Sequence, residues 1–106
     1  MNFYQININN NYQLNQFQNS LNLKVTYNKK FNNEMIDYGI IIINKAYNLM
    51  NKGSDRANYI SDSFDSKYPQ KGRKWSCIIY PSGSRSLYST YFIIYTTEKE
   101  CILIFV

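Results

Sequence analysis

Asn33-Glu34-Met35-Ile36-Asp37-Tyr38-Gly39-Ile40-Ile41-Ile42-Ile43-Asn44-Lys45-Ala46-Tyr47-Asn48-Leu49-Met50-Asn51 decides the architecture, because it can be read in two ways. Four β-branched residues in a row, Ile40 to Ile43, suit a buried strand. Met35, Ile36, Ile40, Ile43, Tyr47 and Met50, however, recur at the three-and-four spacing of one helical face. That apolar pattern also runs past the length of an ordinary strand, so the spacing predicts a helix over 33–51. Asn32 offers an N-cap, and Glu34 puts a negative charge in the first turn, where the helix dipole favours it. Ile41 and Ile42 fall on the flanks of the apolar face, so the helix should be covered on more than one side.

Upstream, Leu21, Leu23, Val25 and Tyr27 alternate with Asn22, Lys24 and Thr26, the pattern of a half-buried strand. Downstream, Gly53 suits the stop of the first helix and Ser54-Asp55 the start of a second. The second helix carries Ala57, Ile60, Ser61, Phe64 and Tyr68 on one stripe, and residues 69–74 read as a basic loop. The last third is β. Trp75 to Tyr80 forms a strand, Pro81-Ser82-Gly83 a turn, and Ser84 to Ser89 a strand with few apolar residues. Tyr91 to Thr96 and Cys101 to Val106 are two strong strands joined by Thr97-Glu98-Lys99-Glu100. The expected order is β-α-α-β-β-β-β, an α+β fold with two helices packed on one face of an antiparallel sheet.

Residues 1–20 stand apart from the domain at 21–106. Eleven of the twenty are Asn or Gln and none is charged, so this is read as an N-terminal tail. Tyr4, Ile6 and Ile8 nevertheless alternate with Gln5 and Asn7 like a short strand, which suggests docking on a neighbouring subunit.

A chain of 106 residues holds one core. Its aromatic share of 17%, with 11 Tyr, favours strands or a contact surface. The net charge of +5 is dispersed and permits an acidic partner without demanding one. Cys77 and Cys101 are too few and too far apart for a metal cluster, and both lie in apolar runs, as reduced core thiols do. No stretch approaches the roughly 18 apolar residues of a membrane span. The N-terminus lacks the basic-then-apolar order of a signal peptide, which places the expected protein inside the cell.

Enzyme chemistry finds little support. The chain has no His, the commonest general base and metal ligand, and no cofactor is expected. The serines of residues 81–86 lack the spacing of a hydrolase elbow. Lys67, Lys71, Arg73, Lys74 and Arg85, with Tyr68 and Trp75 nearby, could form a basic aromatic patch that stacks single-stranded nucleic acid. Against this alternative, the basic residues do not extend into a stripe, and Trp75 suits a core position.

Over residues 23–106 the chain resembles the eight-kilodalton dynein light chain family. Phe64-Asp65-Ser66-Lys67-Tyr68 is similar to the Phe-Asp-Lys-Lys-Tyr that ends that family's second helix. Trp75-Ser76-Cys77-Ile78-Ile79 resembles its Trp-His-Cys-Ile-Val strand. Tyr91-Phe92-Ile93-Ile94-Tyr95 and Ile102-Leu103-Ile104-Phe105 resemble its last two strands. The resemblance implies a strand-exchanged dimer that holds extended peptides by adding them to a sheet edge. It implies that Gly83, Ser84, Arg85, Ser86, Leu87 and Tyr88 form the exchanged strand and that Phe92, Ile94 and Cys101 floor the groove. The implied partners are dynein intermediate chains or similar extended segments, with a second copy or another light chain completing the dimer. The implied place is a microtubule motor complex in the cytoplasm or the axoneme of a cilium.

Two departures bear on specificity. Gly53-Ser54 stands where the family carries a glutamine-recognising Glu-Lys pair, so the partner motif is left open. Ser76 stands where the family has a histidine, so dimer dissociation by protonation cannot run by that route.

Overall fold

A computed structural model describes residues 2–3, 21–82 and 89–106. Among these residues, five strands and two helices come in the order β1 (Asn2–Phe3), β2 (Lys24–Lys29), α1 (Asn33–Leu49), α2 (Gly53–Lys67), β3 (Ser76–Tyr80), β4 (Phe92–Thr96) and β5 (Cys101–Phe105). The strands form one antiparallel sheet ordered β1-β2-β4-β5-β3. This is the α+β architecture the sequence predicts. The strand expected over Ser84 to Ser89 falls almost wholly in residues 83–88, outside the described residues.

The isoleucine run is helical, because the sheet covers its inner face. Ile36, Ile40 and Ile43 are buried against Ile93, Tyr95, Ile102 and Ile104 in one core, and Ile42 is buried while Ile41 packs at the rim. Asn32 caps the helix, its Oδ1 accepting from the Met35 amide at 2.9 Å. Helix α2 contributes Ile60 and Phe64 to the same core. Phe31, Phe64, Trp75 and Tyr91 pack ring against ring, with centroids 5.1–6.2 Å apart.

Two buried polar groups pin the layers. Tyr95 donates its hydroxyl to the Ile36 carbonyl at 2.8 Å, and Gly39 lies directly over that hydroxyl. Asn44, fully buried, donates to the Ile40 carbonyl at 2.8 Å and accepts from the Leu21 amide at 2.6 Å. It thereby fixes where the chain enters β2. Replacing Asn44 by alanine leaves the half-buried Leu21 amide without its acceptor and is expected to cost about 2 kcal/mol. A lower urea midpoint with an unchanged slope would report it.

Two expectations are corrected. Gly53 does not end the first helix: α1 closes at the Met50 cap, and Gly53 is the first residue of α2, with Lys52 as an N-cap that makes no side-chain hydrogen bond. The alternation Leu21-Leu23-Val25-Tyr27 also breaks. The register of β2 on β4 shifts between Val25 and Tyr27, which sets Val25 opposite Tyr95 but Tyr27 opposite Ile94. An extra residue in a strand reverses the facing of every residue after it, so Tyr27 points away from the helices and is 54% exposed.

Burial holds the protons of several groups tightly. It raises the Tyr38 and Tyr47 hydroxyls above their ordinary 10, with the hydrogen bond from Tyr47 to Glu100 adding to the second. Burial pushes Tyr68 up to about 12, helped by Glu34, and pushes the Cys77 thiol up to about 12. A group whose folded pKa lies above its unfolded one stabilises the fold fully below the unfolded value and ceases to as pH rises through the folded one. Stability should therefore hold steady up to about pH 9 and fall between there and about pH 12. Thermal midpoints across that range measure it.

Candidate functional site

Strands β4 and β5 are apolar on both faces, the pattern of strands covered from two sides. Ile93, Tyr95, Ile102 and Ile104 meet the helices. The alternate residues form a second cluster on the other face: Phe92, Ile94, Cys101, Leu103 and Tyr80, with Ile78 and Phe105 packed against it. Ladder partners set this face. Phe92 lies opposite Phe105, Ile94 opposite Leu103, Ile78 opposite Leu103, and Tyr80 opposite Cys101. All three residues expected as a groove floor are thus brought to one face, buried at 3%, 6% and 7% exposure for Phe92, Ile94 and Cys101. Tyr27 extends the face toward β2, its ring edge-on to Phe92 at 5.0 Å.

Sequence reading leaves out Tyr27, Ile78, Tyr80, Leu103 and Phe105. Period-two counting from Cys101 would find Leu103 and Phe105. Tyr27 is hidden by the bulge.

The two cysteines lie on opposite faces of the sheet, Cys77 toward the helices and Cys101 away from them, and both are free thiols. No movement short of unfolding brings them together. Cys101 sits beside Thr96, with Sγ 3.8 Å from its Oγ1.

The two edges of the sheet differ. At one, β2 carries a bulge, Lys24 and Lys29 are exposed, and β1 pairs with its first two residues. Bulges, lysines and covering segments are the means by which edge strands are kept from pairing with other chains. At the other edge, β3 has the sequence Ser-Cys-Ile-Ile-Tyr, without charge or bulge, and it pairs only with β5 among the described residues. The expected exchanged strand, Gly83, Ser84, Arg85, Ser86, Leu87 and Tyr88, lies outside the described residues, as does the pattern at Tyr4 to Ile8.

Among the described residues, which leave out Arg85, the basic aromatic patch is not assembled. Trp75 is buried, donating from its backbone amide to Asp65 Oδ1 at 2.8 Å and from Nε1 to the Tyr68 carbonyl at 2.7 Å. Tyr68 packs on Phe64 and Tyr38. Lys71, Arg73 and Lys74 are exposed, but Asp62 and Asp65 share the depression that Arg73 and Lys74 line. A base would find neither a free ring nor an uninterrupted positive surface there.

No protein-family model and no curated protein matches this sequence. Solved structures do. The dynein light chain-like domain of the Fasciola hepatica calcium binding protein FhCaBP2 superposes with a TM-score of 0.67 over 82% of this chain and 92% of that domain, at 15% identity. A mercury derivative of the same domain gives 0.64 over 78% and 89%, at 16% identity. The fold is dynein light chain-like. At that identity the likeness fixes architecture, and the site must be argued from its own geometry.

Proposed function

We propose that this chain is a non-catalytic light chain of the dynein type, which dimerises and holds extended segments of dynein intermediate chains or other partners by adding them to its sheet. The observation that carries this reading is the contrast between the edges: β2 is guarded by a bulge, lysines and a covering strand, while β3, without charge or bulge, pairs only with β5 among the described residues and borders a second apolar face. An unguarded uncharged edge is a template for another chain.

In this reading Gly83, Ser84, Arg85, Ser86, Leu87 and Tyr88 of a second copy complete the sheet beside β3, and the partner segment adds beyond them over a floor of Phe92, Ile94 and Cys101. Main-chain hydrogen bonds contribute about 0.5–1.5 kcal/mol each, net, whatever the side chains. That suits a serine-rich strand. Two parallel grooves in a dimer raise the effective concentration of the second segment once the first is held. The setting is a cytoskeletal motor assembly, an axonemal one included, with a second copy or a related light chain as the dimer partner.

Native mass spectrometry of the chain with an intermediate chain fragment tests this. Two light chains with two fragments are expected. A monomer that takes up no fragment, or one retained on single-stranded RNA until Arg73 and Lys74 are replaced, would overturn it.

A further inference from the structure

Helix α2 turns one row of side chains away from the core. Asp55, Tyr59, Asp62, Ser63 and Ser66 recur at the three-and-four spacing of one face, and with Met50 they line an open groove of about 590 Å³. Met50 and the Tyr59 ring supply its apolar part. The wall is fixed: Tyr59 packs against the core, its carbonyl accepts from Ser63 Oγ at 2.7 Å, and the Ser63 carbonyl accepts from the Tyr38 hydroxyl at 3.1 Å. Asp55 and Asp62 are exposed and stand two helical turns apart, about 10 Å along the axis. We propose that this groove docks a basic amphipathic helix, with cations seven residues apart on Asp55 and Asp62 and an apolar side chain between them against Tyr59.

Charge and backbone define the occupant. The chain carries a net charge of +5, so a cationic partner is repelled by most of its surface and drawn to this groove. The groove's carboxylates are not spoken for: neither forms an ion pair among the described residues. The nearby cations are engaged elsewhere. Arg56 donates from Nε to the Met50 carbonyl at 2.9 Å and lies over the Tyr47 ring, Lys67 lies over the Tyr38 ring, and Arg73 donates to Thr90 Oγ1 at 2.8 Å. Asp55, in the first turn of α2, also answers the helix dipole, whereas Asp62 is too far along the helix to gain from it. Backbone decides the shape of the partner. The main-chain groups of a helix are paired within it, so an extended segment would find no ladder here, and recognition must run through side chains. A helix laid along α2 presents side chains at the same rise per residue and matches the two carboxylates.

The site is distinct from the β3 edge, and one titration separates them. The probe is a capped alanine-based helix of about 16 residues, with two Lys seven apart and a Leu between them. It is added to the full chain while backbone amide shifts are followed by NMR. Shifts are expected at Met50 and along Asp55 to Ser66, weakening as salt is raised. Asp55→Asn/Asp62→Asn should lower the affinity about tenfold. Asn58→Arg places a cation three residues after Asp55 and four before Asp62, at an exposed position, so it should abolish binding and leave the thermal midpoint no lower. Asp55→Lys/Asp62→Lys should confer binding of the counterpart probe with Glu in place of Lys. Ile78→Lys, which closes the β3 edge, should change nothing. Absence of shifts, shifts confined to Ser76 to Tyr80, or binding indifferent to the charge variants would overturn the inference. Shifts in the groove and in residues 71–74 that grow with protein concentration before peptide is added would place a second copy's basic loop there, and would overturn it too.

Discussion

Replacing Gly39 by alanine is expected to destabilise the fold by about 3 kcal/mol, although the same change at an exposed helix position stabilises by up to about 1 kcal/mol. The reason is contact. A Cβ at position 39 would lie 2.1 Å from the Tyr95 hydroxyl oxygen, 2.7 Å from Cζ and 3.0 Å from Cε1. Tyr95 cannot step aside, being fully buried in the middle strand of the helix-facing sheet and tied to the Ile36 carbonyl. Tyr95→Phe alone should cost about 1 kcal/mol, the value of a buried hydrogen bond. Combined with Gly39→Ala it should cost less than the sum, because removing the hydroxyl relieves the closest contact. The relief is partial, since Cζ and Cε1 remain too near. A denaturant double-mutant cycle reads the coupling directly. Additive costs would mean that the helix does not press on Tyr95 as the structure shows.

Ile78→Lys is expected to lower affinity for an extended partner segment at least tenfold while leaving the thermal midpoint nearly unchanged. Ile78 is half-buried at the rim of the second apolar face, on the edge strand, so its side chain can turn to solvent and the fold tolerates the charge. An incoming strand would have to cover that ammonium. Phe92→Ala is a less clean probe of the same idea, because Phe92 is 3% exposed and its truncation removes core packing worth about 3 kcal/mol or more. Loss of binding by Phe92→Ala therefore reports on fold as much as on the groove, whereas Ile78→Lys separates them. Binding unaffected by Ile78→Lys would mean that partners engage some surface other than the β3 edge.

The features legible in the chain alone are those that depend on spacing. Met35, Ile36, Ile40 and Ile43 announce a helical face despite four β-branched residues, because the sheet that buries them rewards the face and overrides the local strand preference. The strands at 92–96 and 101–105 are legible as apolar runs for the same reason. Tertiary arrangement hides the rest. Gly39 reads only as a weak helix former until Tyr95 is seen beneath it. The bulge between Val25 and Tyr27 leaves no mark in a pattern whose letters alternate cleanly, yet it decides that Tyr27 joins the second face. Phe92, Ile94 and Cys101 are expected on one face through a family resemblance, and period-two geometry brings them there. The pairing of Asn2 and Phe3 with β2 is not foreseeable, because a two-residue ladder in an Asn- and Gln-rich segment carries no periodic signal.

The measurement closest to the central claim is amide hydrogen exchange of the intact chain with and without a saturating intermediate chain fragment, compared strand by strand. Strand addition predicts that the outward amides of Ser76 to Tyr80, or of residues 83–88 where they complete the sheet, slow markedly, while those of the helices stay as they were. Slowing confined to the helices or to the loop at 69–74, with β3 unaffected, would contradict it.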